Sequence, residues 1–435
     1  MRPHDHQGMI LCNIVQIPRL YKFAMINPQD RFWSDSQGYY GPSENPATQT
    51  YSNVWDWDQL RMIKVKGTAK LFPPDGDVEL SILAPLADYL SPEVRAITVD
   101  DNGLLTEVST DPEEDDTMFI AYPPFSLCGS LVDCLTIQYS KFQELDRLGP
   151  FVDLLSYEDE SGIPQKVAFK FNVLYKALRI KMAWDELNIL KSLPPHPNMV
   201  PFDRVVLDES RVIGFTTKYI PGVTLANPKV LFRFEWLQQL TQLVDFLNLE
   251  YGIMHQDIAP RNLLIDPSTH KVLLFDFDRA TSGEKNLQDG RDDVSSVVFT
   301  LYELITNDTS FSGIPHWERN IDMVQSMSEW TSHRELDSEV SKFRKLLNEW
   351  VATRRSNVDG DMKRYLNAPN RLTLPDLPTA PEYAVPFEMG TRDGKPVWRT
   401  GHRSRNTAMK LGQYCFRWER PSQSRLSNKA ESNVK

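Results

Sequence analysis

At 435 residues, the chain is longer than the size at which one hydrophobic core stops growing, which argues against a single domain and predicts two or more packed units. Its 41% hydrophobic and 25% charged residues exclude a chain that is disordered as a whole. The formal net charge is -11, but residues 354–435 contain 16 Lys and Arg against 8 Asp and Glu, so an acidic body precedes a basic tail.

Cysteine spacing and hydropathy bear on the compartment. Cys12, Cys128, Cys134 and Cys415 lack the paired spacing of a metal site and suggest no disulfide framework, which favours reduced thiols. No apolar run reaches membrane-spanning length, and the N-terminus lacks the pattern of a secretory signal. We therefore expect a protein of the cytoplasm or nucleus. No nucleic-acid partner is indicated, and the basic tail is expected to be solvated or to dock on the acidic body.

Residues 1–140 form the first predicted region, an N-terminal α/β extension of unassigned function. Residues 28–60 mix aromatic residues with turn formers and show no sustained period, which predicts a loop-rich wrap or an extension pinned by its aromatic residues. The runs MIKVKGTAKLF, VRAITVDDNGLLTEV and TMFIAYPPF are then rich in β formers, and Asp-Asn-Gly divides the second of them as in a hairpin.

A strand-rich region at 141–222 and a helical region at 223–351 come next. QKVAFKFNVL and VIGFTTKYI predict strands, and ALRIKMAWDELNILKSL between them has apolar residues at helical spacing. DDVSSVVFTLYELI predicts a buried helix. Strands followed by helices give an α+β class. Residues 352–435 form a basic, proline-containing tail.

The polar residues with the most chemical content flank two short apolar strands, NLLID and KVLLFDFD, which are joined by the turn PSTH. Asp257 and Asn262 lie in the preceding loop, MHQDIAPRN, and Asp276 ends the second strand. All three can face one cleft. Phosphoryl transfer needs hard oxygen ligands for Mg²⁺ and one carboxylate that orients the attacking hydroxyl, so this set of residues suits that reaction.

Four segments in chain order resemble the motifs of protein kinases. HQDIAPRN resembles the catalytic loop H-R-D-x-x-x-x-N, and FDFD resembles the D-F-G that follows it. Upstream, VAFK is similar to the V-A-I-K strand and DELNILKSLPPHPNMV to the kinase C-helix; downstream, DDVSSVVFTLYELI is similar to the helix that begins with a buried aspartate. Together they are a specific signal. The resemblance implies a two-lobed protein-kinase-like fold of the α+β class, with a β-rich N-lobe and a helical C-lobe.

The resemblance also implies roles for individual residues. Lys170 would hold the phosphates of ATP and pair with Glu186, while Asp257 would accept or orient the proton of the substrate hydroxyl. Asn262 and Asp276 would bind Mg²⁺. The implied nucleotide-binding residues are Gly149, Lys170, Asn262 and Asp276, with the backbone of Lys218, Tyr219 and Ile220 facing adenine. Asp293 would support the catalytic loop, and His255 and Phe277 would be packing residues.

Each of these residues also has an ordinary structural interpretation. Lys170 and Glu186 could form a surface ion pair, which contributes little to stability. Asp257 and Asn262 could be turn formers, and Asp276 could cap a strand. The conjunction of the motifs favours the kinase-like interpretation.

Four departures from the kinase pattern bear on activity. Gly149 alone stands where a glycine-rich loop is expected to let backbone amides approach phosphate. Gln256 replaces the arginine that receives a phosphorylated activation loop, so that electrostatic switch is expected to be absent. Asp278 replaces the glycine of D-F-G, which costs backbone freedom there and adds a carboxylate near the metal. Only DRATSGEKNLQDGRD separates Phe277 from Asp293, so the platform for a substrate peptide is abbreviated.

Three functional hypotheses remain open at this point. The first is an ATP- and Mg²⁺-dependent phosphotransferase that acts on a hydroxyl, with a protein as the favoured acceptor. The second is a pseudokinase, a binding or scaffold module with weak or no catalysis, which the degenerate glycine loop and Asp278 motivate. The third is a small-molecule phosphotransferase, which the short segment after Phe277 motivates. The sequence names neither the acceptor nor the oligomeric state.

Overall fold

The computed structural model describes residues 31–35, 49–68, 70–72, 78–173, 177–356, 360–378, 384–392, 395–402 and 404–423. The chain divides into two compact units. The first unit comprises Met1–Ala121, Leu145–Pro150 and Pro381–Lys435, and the second comprises Tyr122–Glu144 and Phe151–Ala380. Each unit is described by itself below.

This division differs from the predicted regional boundaries at 140 and 352. Cys128 and Leu131 belong to the apolar core of the second unit, because their side chains pack with Trp184 and Leu187. The boundary near 140 therefore falls inside that unit. Leu372 packs against the same core, so the second unit also extends past 352.

A five-stranded sheet in the order β1-β2-β3-β4-β5 forms the centre of the first unit. Its strands are Phe32–Asp35 (β1), Gln49–Asp56 (β2), Arg61–Thr68 (β3), Ala96–Val99 (β4) and Leu105–Ser109 (β5). The parallel pair β3 and β4 is separated in the chain by helix Val78–Leu83 (α1). Ile63, Leu83 and Ile97 are fully buried and form part of its core.

Two expectations for this region were wrong. Strands β1 and β2 lie within the stretch 28–60 that was expected to be a loop-rich wrap, although residues 36–48 lie outside the described part. Polar residues occupy buried strand positions here: Asp56 is fully buried and accepts a 2.8 Å hydrogen bond from Arg31 Nε. Such pairing hides a strand from a hydrophobicity pattern. In TMFIAYPPF no strand forms; Met118 makes an isolated bridge to Ser404, and Pro124 makes another to Arg211.

In the sheet of the second unit, β6, β10, β11, β9 and β8 are neighbours in that order. Thr136–Gln138 is β6, and Gln143–Gly149 (β7) follows it in the chain. The other strands are Val152–Glu158 (β8), Pro164–Phe171 (β9), Phe202–Asp208 (β10) and Arg211–Lys218 (β11). The strands expected from QKVAFKFNVL and VIGFTTKYI are thus confirmed.

Six α-helices lie in the described part of the second unit. They are Ala177–Ser192 (α2), Phe234–Asp245 (α3), Asp293–Thr306 (α4), Asp322–Gln325 (α5), Val340–Arg355 (α6) and Gly360–Leu366 (α7). Five short strands lie among them: Val223–Thr224 (β12), Ile253–Met254 (β13), Leu263–Ile265 (β14), Val272–Leu274 (β15) and Thr281–Ser282 (β16). The helices predicted at α2 and α4 are confirmed. No helix among the described residues is both long and apolar enough to cross a membrane.

The described part of the basic tail from residue 384 onward belongs to the first unit. It comprises the strands Ala384–Arg392 (β17) and Lys395–His402 (β18), the helix Arg405–Lys410 (α8) and an extended segment to residue 423. The Arg405 side chain is 6% exposed, pairs with Asp115 at 2.7 Å and also contacts Glu419. The Arg420 amide donates to the Gln59 carbonyl at 3.1 Å. The expectation that the tail docks on acidic residues is met by the Arg405–Asp115 pair.

Replacing Arg405 by glutamine is expected to lower the free energy of unfolding of the first unit by about 2 kcal/mol, because the buried carboxylates of Asp115 and Glu419 lose charged hydrogen-bond donors. Chemical denaturation checks this. Lys410→Gln is the matched control, since the Lys410–Glu113 pair is 59% and 62% exposed and should contribute nothing measurable. Equal stability of the two variants would contradict a structural role for Arg405.

Candidate active site

Lys170 lies on β9 at the centre of an ion-pair cluster. Its Nζ is 2.7 Å from Glu186 Oε1, and it also contacts Asp276 Oδ1. Glu186 comes from α2, and the same Oε1 accepts a 2.9 Å hydrogen bond from the Phe277 amide. One carboxylate therefore joins strand β9, helix α2 and the segment that follows β15.

Burial and charge act in opposite directions on this pair. Burial raises the pKa of Glu186 to about 7, although the Lys170 ammonium favours the ionised carboxylate. Burial opposes the charged form of Lys170 as well, but Asp276 and Glu186 outweigh it and raise the pKa of that ammonium above its usual value. Lys170 therefore stays protonated, as a group that binds phosphate must.

Asn262 and Asp276 lie at the same end of the ladder formed by two short strands. In the antiparallel pair β14 and β15, Leu263 is opposite Leu274. The ladder is extended by the Phe275 amide, which donates to the Asn262 carbonyl at 3.2 Å. Residues that precede one strand and follow its antiparallel neighbour meet at the same end. The structure thus brings together these two residues from distant positions in the sequence.

Asp257 lies in the loop before β14 and has both carboxylate oxygens occupied. Asn262 Nδ2 donates to Asp257 Oδ2 and to the Asp257 carbonyl, both at 2.9 Å. Arg261 Nη2 is 2.7 Å from Oδ1 and 2.6 Å from Oδ2, and Arg291 Nη1 is 3.4 Å from Oδ1. Such charge-assisted bonds fix the orientation of the carboxylate.

Asp293, the first residue of α4, holds the backbone of this loop. Its side chain is fully buried and accepts three hydrogen bonds of 2.8 Å, from the amides of His255 and Gln256 and from Asn248 Nδ2. Burial raises the pKa of Asp293, although these donors favour its ionised form. Gln256 has φ 63°, a left-handed conformation that these bonds stabilise.

The Gln256 side chain ties the short segment after Phe277 to the loop. Its Nε2 donates to the carbonyl of Arg279 at 2.9 Å and to that of Asn286 at 3.2 Å, and its Oε1 accepts from the Gln288 amide at 2.7 Å. The neutral side-chain amide of Gln256 therefore holds this segment, at the position where the H-R-D motif of protein kinases has an arginine. The absence of a phosphate-dependent switch stays a prediction.

Asp278 is paired, and the backbone strain lies elsewhere. Arg179 Nη1, from α2, is 3.4 Å from Asp278 Oδ2. Burial and the neighbouring Asp276 raise the pKa of the Asp278 carboxyl, against the effect of Lys170. Among the described residues, the left-handed conformation falls on Asp276, with φ 68°, rather than on Asp278. Asp278 therefore replaces the glycine without adopting a left-handed backbone conformation, which occurs at Asp276 instead.

The remaining predicted residues lie at strand ends. Lys218 ends β11 opposite Val167 of β9, the strand that carries Lys170, and Tyr219 and Ile220 follow directly. Gly149 ends β7, and residues 145–150 group with the first unit. The nucleotide contacts of these residues stay predictions.

The donor set at the end of the β14–β15 ladder fits Mg²⁺. Asn262 Nδ2 donates to Asp257, so its Oδ1 is the atom left to bind a cation, and Asp276 supplies a carboxylate that is 34% exposed. Within the described residues, no group of three or more His, Cys, Asp or Glu side chains is placed to hold a metal. Two oxygen ligands are sufficient where substrate phosphates and water complete the shell, as is usual for Mg²⁺.

Sequence reasoning passed over three contacts. Arg291 reaches Asp257 from just before α4, Arg179 reaches Asp278, and Trp184 Nε1 donates to the Pro375 carbonyl at 2.9 Å. One signal was present, since Arg179 is two helical turns before Glu186 and shares its face of α2. The Pro375 contact joins positions 191 residues apart and has no local signature.

Curated proteins similar to this chain are protein kinases, although no protein-family model matches it. Casein kinase II subunit alpha' of Saccharomyces cerevisiae is 32% identical over 108 residues, which cover 23% of this chain and 31% of that protein. CBL-interacting protein kinase 5 of Oryza sativa subsp. japonica is 31% identical over 135 residues, 29% of this chain and 28% of that protein. CBL-interacting serine/threonine-protein kinase 2 of Arabidopsis thaliana is 28% identical over 135 residues, 29% of each.

The chain therefore spans less than a third of the length of these relatives. The mixed sheets and helices described above fit a kinase-like fold. The chain thus has distant similarity, over part of its length, to several protein kinases.

Proposed function

We propose that this protein is an ATP- and Mg²⁺-dependent phosphotransferase that transfers the γ-phosphoryl group to a hydroxyl. The favoured acceptor is a protein. One observation carries the proposal. Lys170, Glu186 and Asp276 form a single ion-pair cluster, and the ladder that positions Asp276 also positions Asn262, which is hydrogen-bonded to Asp257. An ordinary set of turn formers and surface ions has no reason to converge in this way.

In this proposal each residue has one task. Lys170 holds the α- and β-phosphates, and Glu186 fixes the direction of its ammonium. Asn262 and Asp276 hold Mg²⁺, which would neutralise charge on the phosphates. Asp257, fixed by its hydrogen bonds, orients the acceptor hydroxyl and takes its proton. Phosphoryl transfer through a loose transition state asks mainly for positioning and charge stabilisation, and these side chains supply both.

The proposal extends to the architecture and to the nucleotide contacts. It includes a two-lobed arrangement of residues 151–351, with the backbone of Lys218, Tyr219 and Ile220 facing adenine. The names of the similar kinases support a protein acceptor. A small-molecule acceptor is the second candidate, favoured by the mere fifteen residues, 278–292, between Phe277 and Asp293.

Mg-ATP at a hundred times its dissociation constant is expected to add about 2.7 kcal/mol of stability to the wild-type protein. Thermal unfolding with and without EDTA measures this shift. Asp276→Asn should remove most of it, because the variant loses a carboxylate ligand. The matched control is Asp266→Asn at the opposite end of the same ladder, where asparagine can still make the turn contacts that Asp266 makes with Ser268.

The outcomes separate the three functions. No shift in the wild-type protein at millimolar Mg-ATP would contradict the proposal and favour a scaffold. A shift without turnover on any acceptor would identify a nucleotide-binding pseudokinase. Autophosphorylation detected by mass spectrometry would favour a protein acceptor, whereas turnover confined to small alcohols would favour the small-molecule alternative.

A further inference from the structure

Helix α2 must hold one orientation for Glu186 to reach Lys170. The helix is long enough to form, but its position depends on what packs around it. Trp184, one half-turn before Glu186, is 5% exposed and belongs to the core of the second unit. Its Nε1–H donates to the Pro375 carbonyl at 2.9 Å. The partner of this bond lies in residues 370–377, which we call the strap.

The strap is anchored along its length. The Asn370 amide donates to the Glu250 carbonyl at 2.9 Å, and the Leu372 amide donates to the Tyr251 carbonyl at 3.1 Å. These anchors precede the loop of Asp257 by a few residues. Three apolar side chains of the strap pack against the core that contains Trp184, namely Leu372, Leu374 and Leu377.

The strap also contacts the segment that follows Asp276. Ser282 Oγ donates to the Leu372 carbonyl. Just before the strap, the buried Tyr365 hydroxyl donates to the Gly283 carbonyl at 3.2 Å. Two contacts join this segment to α2. The Phe277 amide donates a 2.9 Å hydrogen bond to the Glu186 carboxylate, and Asp278 pairs with Arg179. Helix α2, the segment after Asp276 and the strap are therefore connected pairwise: each of the three makes a polar contact with the other two.

We infer that the strap is an intramolecular positioning element, which holds α2 in the orientation that pairs Glu186 with Lys170 and couples that orientation to the segment carrying Asp276. Its catalytic meaning rests on the proposed function, but its mechanical role does not. Trp184 is the positioning residue at one end, and Ser282 is the contact at the other. A segment of the same polypeptide thereby holds Glu186 in position to pair with Lys170.

Trp184→Phe tests the inference in the full chain, because it removes the indole N–H and keeps an aromatic ring. Loss of one net hydrogen bond is expected to raise amide hydrogen exchange along α2 roughly fivefold and to weaken Mg-ATP affinity by a similar factor. Trp236→Phe is the matched control: its Nε1 donates to the His270 carbonyl at 2.8 Å, in the same unit and equally buried, but on α3. That variant should leave exchange in α2 and Mg-ATP affinity unchanged.

Ser282→Ala releases the other end of the strap and should also raise exchange along α2, so the test survives if Trp184→Phe does not fold. Exchange along α2 that rises no more in the Trp184 and Ser282 variants than in the Trp236 variant would overturn the inference. Faster exchange with unchanged Mg-ATP affinity would reduce the strap to ordinary packing and would overturn its positioning role. Failure of the wild-type protein to bind Mg-ATP would defeat the proposed function. Amide exchange along α2 in the Trp184 and Ser282 variants would then be the measurement that shows whether the strap holds the helix.

Discussion

Replacing Asp257 by asparagine is expected to slow phosphoryl transfer by about 10²–10⁴-fold, the usual contribution of a positioned general base. The amide keeps the size of the side chain but cannot take a proton from the acceptor. It also presents an N–H₂ group where Arg261 and Arg291 now meet a carboxylate oxygen. ATP turnover and autophosphorylation at saturating Mg-ATP measure the loss.

Binding of Mg-ATP should survive this change, because Asn262 and Asp276 are the residues proposed to hold the metal. The matched control is Asp133→Asn, an exposed aspartate of the same unit, which should keep wild-type turnover. Wild-type turnover in the Asp257 variant would remove this carboxylate from the reaction. It would leave the nucleotide site untouched, since thermal shift tests that site separately.

Replacing Asp293 by alanine is expected to lower the free energy of unfolding by at least about 3 kcal/mol. The variant leaves two backbone amides, of His255 and Gln256, and the Asn248 side chain without their acceptor, and each buried unsatisfied donor costs about 1–3 kcal/mol. Urea unfolding followed by tryptophan fluorescence measures the loss. Activity should fall too, because the loop of Asp257 loses its support.

The neighbouring residue supplies the control for this substitution. Asp292 caps α4 by accepting a 2.8 Å hydrogen bond from the Ser295 amide, and its side chain is 41% exposed. Asp292→Ala should cost about 1 kcal/mol, the usual value for an N-cap, and should spare the loop. Similar destabilisation of the two variants would mean that Asp293 does no more than begin a helix.

The elements that could be predicted from the sequence are those whose signals are local. Helices α2 and α4 have apolar residues at helical spacing, and β9 has apolar residues at alternating positions, Val167, Phe169 and Phe171. The loop of Asp257 was found through the spacing of Asp257 and Asn262, and Asp276 through its place after an apolar strand. In each case the information lies within about twenty neighbouring residues.

What could not be predicted depends on distant partners. Strand β2 contains buried Asp56, whose burial makes sense only once Arg31 neutralises it. The strap has no sequence pattern that distinguishes it from a linker, because its meaning comes from Trp184. The tail was likewise predicted as a basic segment, and the pairs of Arg405 with Asp115 and Glu419 explain why Arg405 is buried.

The pairing of Arg405 with Asp115 has a consequence for biosynthesis. The two residues are 290 positions apart, and nearly all of the second unit lies between them in the chain. At translation speeds of about 5–20 residues per second, the sheet of the first unit waits roughly 15 to 60 seconds before its last partner is made. During that time Asp115 has Arg95 as a guanidinium partner, at 3.6 Å, but lacks the closer contact with Arg405. The second unit is therefore synthesised completely before the first unit receives its last residues.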